Sequence, residues 1–514
     1  MVPMRTRMLR PELKPVATAI GVGLALAAIS LPGVANAQSV EVRPYVSATV
    51  TYSDNVGADA QGGDGDLSLE VAPGVSVLRN SGRFRGNLNA MVRNIAYMSE
   101  TDRNDSFLAL NGHGQFEAVE KTLFIDMDAS MSRNNRSAFF GRAAGDPQDI
   151  SSDNETRMYG IGPRLNFRLG PETSGTASYM TRWMSGGGGL GNRRESDLNA
   201  QISNPVQFGR VGWGLSYSRS ENDTGQAGTA ESSSEETMRG TLYVTVTPQF
   251  RLRGIVGHER NDYDTASGDS NSIVGGGFDW NPTERTTISG TTEKRFFGRG
   301  YDFQFNHRHA LSNWNLSYSR DSSSSLELLG VDVFRDPEFR LLYDALERVI
   351  PDPFLREAVV RRLLGYPAIG PRDMFLSNAR FVTRNLTGSV SLIGVRNVLT
   401  FSLQQSERSR LGAEVAGNPQ DDFARFDNVK TRSATVALSH RLAPQTSLSA
   451  SLTRSRSTGS GTDGSETERT AFSLALSKQL GPNTSGGLTY RYQRSEGLSD
   501  FIENVITATI SVSF

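Results

Sequence analysis

The amino-acid sequence predicts an all-β fold, a transmembrane antiparallel up-and-down β-barrel of about 22 strands with a short helical hairpin insert in one connection. Three observations lead there: a C-terminal segment of strict odd–even hydropathy, a succession of similar segments along the chain, and a composition poor in hydrophobic residues. Between Phe501 and Phe514, the residues Ile502, Ile506, Ala508, Ile510, Val512 and Phe514 share one parity. Glu503, Thr507, Thr509, Ser511 and Ser513 share the other. Period two describes a strand with one oily and one wet face. Soluble proteins can also end in such a strand, so the rest of the chain has to decide.

The N-terminus reads as an export address. Arg5, Arg7, Arg10 and Lys14 form a positive region, Val16 to Leu31 is mostly apolar, and Ala35-Asn36-Ala37 offers small residues for cleavage before Gln38. Residues 1–37 are therefore expected to be a signal peptide and 38–514 the mature barrel. The alternative, an uncleaved anchor, needs ~20 apolar residues, more than this run supplies. The mature chain carries 50 basic and 54 acidic residues, a near balance that argues against nucleic acid as a partner. There is no cysteine, so an exported chain must be held without disulfides, as a closed hydrogen-bonded barrel is. Hydrophobic residues are 37% of the whole and mean hydropathy is −0.39. That is poor for a soluble core of this size and ordinary for a wide barrel, where half the strand positions face water.

Alternating segments recur. Val211, Trp213, Leu215 and Tyr217 oppose Gly212, Gly214, Ser216 and Ser218; Leu448, Ala450 and Leu452 oppose Ser449, Ser451 and Thr453. Short connections are expected at 79–83, 118–121, 170–174, 247–250, 281–284, 310–313, 394–397, 443–446 and 481–485. Longer polar ones are expected at 53–66, 133–155, 220–236, 262–271, 409–428 and 458–467. With the N-terminus in the periplasm, the short ones become periplasmic turns and the long ones extracellular loops. About 22 strands at ~4.8 Å spacing and ~40° tilt enclose a Cα diameter of roughly 44 Å. Side chains alone cannot fill that lumen.

One segment breaks the pattern. Residues 337–365 read as two short helices. The first carries Phe339, Leu342, Ala345, Leu346 and Val349 at helical spacing and stops at Ile350-Pro351. The second has Asp352 as N-cap and Pro353 at the first helical position, then Phe354, Leu355, Ala358, Val359 and Leu363, with Gly365 as a stop. By strand count the hairpin belongs to an extracellular connection, either as a partial plug in the barrel mouth or lying on the rim. Phe339, Leu342, Phe354, Leu355, Arg361 and Arg362 are its candidate gate or plug residues.

Signatures of chemistry are scarce. Neither G-x-S-x-G nor H-E-x-x-H occurs, so no catalytic, cofactor or metal residue is assigned and an enzyme is not expected. Gly62-Gly63-Asp64-Gly65-Asp66 approaches a calcium-repeat nonapeptide once only, and a flexible acidic loop is the simpler reading. His307 and His309 share the face of Tyr301, Phe303 and Phe305, which fits an interfacial girdle better than a metal site. By parity, Arg83, Arg85, Arg93, Asp126, Asp128, Arg253, Glu293, Arg295, Arg308, Arg441 and Arg491 point inward. These charges either satisfy one another and stiffen the wall or form a hydrophilic track. Mixed signs with Asn, Ser and Thr suit a hydroxyl-rich, weakly charged polymer.

The segment Val50-Thr51-Tyr52-Ser53-Asp54-Asn55-Val56 resembles the opening of the β-barrel porin-2 group. Trp280-Asn281-Pro282-Thr283-Glu284-Arg285-Thr286, Arg295-Phe296-Phe297-Gly298 and Leu392-Ile393-Gly394-Val395-Arg396-Asn397 resemble the PEP-CTERM system-associated outer-membrane protein family. Phe514 at the end of its strand resembles the insertion signal read by the barrel-assembly machinery. The resemblance implies the outer membrane of a Gram-negative bacterium, with lipid and lipopolysaccharide as neighbours and an exopolysaccharide or exosortase system as context. It implies no reaction. The expected function is thus a porin-like channel linked to exopolysaccharide export. The alternatives are a non-conducting docking barrel that binds polysaccharide or partner proteins, then an active transporter, which would carry a folded plug before its first strand.

Overall fold

A computed structural model describes residues 40–514 apart from 61, 81, 134–136, 141–154, 187–190, 225–230, 264–268, 326–335, 365, 367–368, 370–376, 378, 413–420 and 462–463. The segment expected to be a signal peptide lies outside the described residues, as does Gly365. The first strands are β1 Val40–Ser53, β2 Asp66–Arg79, β3 Phe84–Tyr97, β4 Asp105–Val119, β5 Leu123–Arg133, β6 Glu155–Leu169 and β7 Thr173–Gly186. Next come β8 Gly191–Phe208, β9 Val211–Thr224, β10 Glu231–Thr247, β11 Phe250–Asn261, β12 Asp269–Thr283, β13 Thr286–Arg295, β14 Gly298–His309 and β15 Ser312–Ser323. Two helices follow, α1 Pro337–Ala345 and α2 Pro353–Leu364. The chain ends with β16 Arg380–Ile393, β17 Asn397–Leu411, β18 Asn428–Ala443, β19 Thr446–Ser460, β20 Ser465–Gly481, β21 Thr484–Gly497 and β22 Phe501–Ser513.

Every strand pairs antiparallel with its neighbour in sequence, and β1 pairs with β22 from Tyr45↔Ser513 to Ser53↔Val505. The 22-stranded sheet is therefore closed and leaves no edge. Inside the seam, Thr49 meets Thr509 at 3.1 Å and Thr51 meets Thr507 at 3.4 Å. Outside it, Ile502, Ile506 and Ile510 are exposed while Glu503 is fully buried, as the parity of the tail requires. The same alternation exposes Val50, Leu69, Tyr159, Trp183, Leu242, Trp280, Leu403 and Leu452 on the outer face. Together these residues form an apolar belt around the wall.

All nine expected short connections are turns in the structure, and a tenth at Gly209-Arg210 joins β8 to β9 with Gly209 at φ +74°. The stretch 220–236 is not one long connection, because β9 continues to Thr224 and β10 starts at Glu231. Its Ser, Glu and Asn residues resemble loop composition but serve as polar wall positions. The other end of the barrel carries the longer connections, although β13 and β14 are joined there by only Phe296-Phe297, with Gly298 at φ +103°. No described helix is long and apolar enough to cross a membrane, which says nothing of a wall made of strands.

Candidate functional site: a helical hairpin and a charged half-lumen

The hairpin folds as the caps dictate. Asp336 accepts from the backbone N–H of Glu338 and Phe339 at 2.9 and 3.3 Å, and Asp352 accepts from Leu355 at 2.7 Å. Proline occupies the first position of each helix. Tyr366 O–H returns to the second Asp336 oxygen at 2.5 Å and closes the base of the hairpin. Helix α1 stops at Ala345, one turn short of the expected Val349. Leu346 and Val349 nonetheless join Phe339, Leu342, Val359, Val360 and Leu363 in one buried cluster.

That cluster also contains Val398 of β17 and Ala437 of β18, with Ile393 of β16 packed against it. Val398 and Ile393 flank the short turn 394–396, whereas the hairpin's connection starts and ends at the opposite end of the barrel. The insert therefore runs down the lumen almost to the short-turn end. It is neither a mouth-level cap nor a rim ornament. Beside Val398 and Ala437, inward positions on β16 to β20 are small and buried: Ser389, Ser391, Thr400, Ser402, Ser439, Ser447, Ser449, Ala475 and Ser477. Small side chains let a helix lie close to the sheet. Arg441 Nη1 donates to the Arg348 carbonyl at 2.8 Å and pins the bottom of the hairpin.

Beyond the hairpin, Ile369 packs with Val56, Ala72, Met91, Ile95, Tyr97 and Phe107, inward residues of β2–β4 and the β1–β2 connection. Near the other end, Phe139, Phe423 and Phe426 from two connections pack on Phe381 and Val429. The insert thus rests on the arc running from β16 through the seam to β4. The opposite arc remains open as a cavity of about 720 Å³ lined by residues of β3–β10, with Arg295 and Asp321.

The inner wall carries a ladder of ion pairs, part of which borders this cavity. Arg93 binds Glu70 through Nε and Nη2 at 2.8 and 2.6 Å. His113 Nδ1 lies 2.7 Å from Asp128, and Arg164 donates twice to Asp126 at 2.7 and 3.0 Å. Arg182 meets Asp197 at 2.7 Å, Arg239 meets Glu293 at 3.0 Å, and Arg251 and Arg253 share Asp279. Arg295 is the hub: Nε donates to Glu259 at 2.5 Å, Nη2 to Glu235 at 3.0 Å and Nη1 to Asp321 at 3.0 Å.

Of the sequence-chosen lumen residues, Asp126, Asp128 and Arg295 line this cavity, while Arg93, Arg253 and Glu293 belong to the paired wall. Arg491 faces Glu503 at 3.5 Å. Arg83 and Arg85 stand exposed at the short-turn rim, not in the lumen's depth, and Arg308 is likewise exposed. Among the gate candidates, Phe339 and Leu342 are core, and Leu355 packs against it. Arg361 binds Glu357 at 2.8 Å and lies over the Phe339 ring. Arg362 keeps Nη1 buried with no partner among the described residues, and the side chain of Phe354 lies outside them. Sequence reasoning missed Glu235, Glu259, Arg164, Arg182 and Asp197. Each sits on inward parity, so the same alternation could have found them. Among the described residues no group of three or more His, Cys, Asp or Glu could hold a metal ion. The acidic loop is tied to its neighbours: Asp66 accepts from the Ser99 and Glu100 N–H groups at 3.0 and 2.8 Å, and the Asp64 carbonyl accepts from Val56 N–H at 3.2 Å.

Together, the closed wall, the internal insert and the polar cavity define a large β-barrel with a partly occupied lumen. No protein-family model matches the chain, and no curated protein matches it in sequence. Among solved structures it is similar to the FrpB iron transporter from Neisseria meningitidis, at 9% identity and a TM-score of 0.51, covering 92% of this chain and 81% of that one. It also matches the siderophore receptor PirA from Acinetobacter baumannii at 10% identity and TM-score 0.48, covering 93% and 81%. The ferric enterobactin receptor PfeA from Pseudomonas aeruginosa, in complex with enterobactin, matches at 10% and 0.47, covering 93% and 82%. The likeness to FrpB is one of fold.

Proposed function

We propose that this chain is an outer-membrane β-barrel of a Gram-negative bacterium. It acts as a porin-like channel whose own helical hairpin closes half of the lumen. The observation that carries the reading is the hairpin seated on the small-residue arc with a polar cavity left open beside it. A plug that crowded every wall would leave no path, and an empty barrel of this width would leak. The outer apolar belt suits lipid, since a soluble protein rarely exposes such a continuous surface. Phe514, whose N–H donates to the Pro44 carbonyl at 2.9 Å beside the closing seam, would be presented to the barrel-assembly machinery before closure.

The solute is a hydroxyl-rich, weakly charged chain, and the context is exopolysaccharide export within a PEP-CTERM or exosortase system. Asn87, Asn111, Asn199, Ser218 and Thr237 line the cavity between the ion pairs and offer donors and acceptors without net charge. Liposome swelling tests the reading: the intact chain should admit small sugars slowly, and deletion of 337–364 should raise the rate severalfold. The second reading is a non-conducting docking barrel that holds polysaccharide or partner proteins. It is favoured by the closed ion-pair ladder, and impermeability that persists after the deletion would establish it.

A further inference from the structure

The outer wall carries a feature that permeation does not use. On β12–β15 the outward positions form a register row, Phe278↔Gly290↔Phe303↔Tyr318, beside a second row, Gly276↔Thr292↔Tyr301. Val274 and Trp280, on the same face of β12, are exposed at 61% and 43%. These rows enclose an apolar groove of about 390 Å³ with a glycine floor and aromatic sides. Phe278 leans over Gly290, where a Cβ would stand 2.8 Å from its ring, so any side chain there would push the ring aside. At Gly276 a Cβ would meet nothing closer than 3.5 Å, so the floor is open. Tyr301 and Tyr318 join their hydroxyls at 2.7 Å and finish the groove with a polar edge.

Two residues beyond a groove residue on each of three successive strands stands a cation of the same outward parity. Lys294 follows Thr292 on β13, Arg299 precedes Tyr301 on β14, and Arg320 follows Tyr318 on β15. Register places Lys294 opposite Arg299, and Arg320 opposite Tyr301. Lys294 and Arg299 are exposed. Arg320 donates to the carbonyls of Arg299 and Phe297 at 2.8 and 3.1 Å, which fixes its guanidinium at the rim. No ion pair to a carboxylate engages these three cations among the described residues, whereas Arg384, opposite Arg320 on β16, shares Glu407 with Lys430.

We propose that this is a binding site for one lipid A molecule of lipopolysaccharide, with an acyl chain in the groove and a phosphate on Lys294 and Arg299. The inference rests on the outer-membrane reading, which places the long-connection end in the outer leaflet. An apolar slot capped by uncompensated positive charge is complementary to a phosphorylated acyl lipid and to nothing in the polymer path. Three close cations favour the two phosphates of lipid A over a singly charged phospholipid.

The test uses the full chain refolded in detergent and bisphosphorylated lipid A as the probe, with bound lipid counted by native mass spectrometry. One lipid A per barrel is expected, resisting exchange with excess phosphatidylglycerol. K294Q/R299Q should weaken binding roughly thirtyfold, and G276L, whose Cβ the floor accepts and whose side chain would fill the groove, should weaken it as well. Unchanged binding in both variants would overturn the site, as would equal displacement by phosphatidylglycerol. Failure of the outer-membrane reading would be seen separately, as a chain that does not fractionate with outer membranes.

Discussion

Arg295 makes the sharpest test of the ion-pair ladder. Its side chain is 4% exposed and its three partners differ: Glu259 is 0% exposed, Glu235 11% and Asp321 64%. Arg295→Met keeps much of the stem volume and removes the charge. The Asp321 pair, open to water, contributes at most ~1 kcal/mol. Glu259 decides the outcome, because it would remain buried with the Phe296 N–H as its other donor. Removing one partner of a buried pair costs ~3–5 kcal/mol, and water reaching Glu235 from the adjacent cavity favours the lower end. A loss of about 3 kcal/mol is therefore expected, against ~1 kcal/mol or less for Arg253→Met, whose partner Asp279 keeps Arg251. The assay is urea unfolding of the barrel in micelles, followed by fluorescence of its four tryptophans. Arg295→Met combined with Glu259→Gln should recover most of the loss. Equal effects of the two single substitutions, or no recovery in the double, would refute the reasoning.

Three other outcomes are expected. Thr400→Phe, placed on the hairpin's seat, should destabilise the closed state by ~1–3 kcal/mol through overpacking and raise sugar permeation without unfolding the wall. Arg308→Glu, at an exposed position, should shift single-channel selectivity toward cations, while Arg93→Glu should chiefly destabilise by opposing Glu70; unchanged conductance in both would remove the charged-track idea. Burial pushes the Asp422 carboxyl up to about 6 in the connection where it binds Ser137 and Ala138. Because the folded form then holds its proton more tightly, the mouth cluster is most stable at low pH and weakens between about 4 and 6. Limited proteolysis of the β17–β18 connection should speed up across that window, and Asp422→Asn should flatten the profile.

The wall was legible because its rule is local. Parity within ten residues assigns Ile506 outward and Glu503 inward, and pairing partners follow from short turns. The contents of the lumen were not legible in this way. Met91, Ile95, Phe107 and Val398 are apolar yet point inward, because a segment hundreds of residues away in some cases covers them. Ser391, Thr400 and Ser449 read as wet lumen positions, but they are the floor beneath a helix. Polarity reports what a side chain tolerates; smallness, which sequence reasoning passed over here, reports what approaches it. The hairpin's caps at Asp352 and Pro353 were readable, while its depth in the barrel depends on contacts that no periodicity encodes.

The most direct test is cysteine accessibility in a chain that has no natural cysteine. Single cysteines at Ile506, Asn199, Thr400 and Ser402 would be challenged with a water-soluble maleimide in reconstituted membranes. Ile506 should stay silent and Asn199, which lines the open cavity, should react; Thr400 and Ser402 should be protected in the intact chain and become reactive when 337–364 is deleted. Equal labelling of Thr400 with and without the hairpin, or ready aqueous labelling of Ile506, would contradict a lipid-facing wall around an internally seated plug.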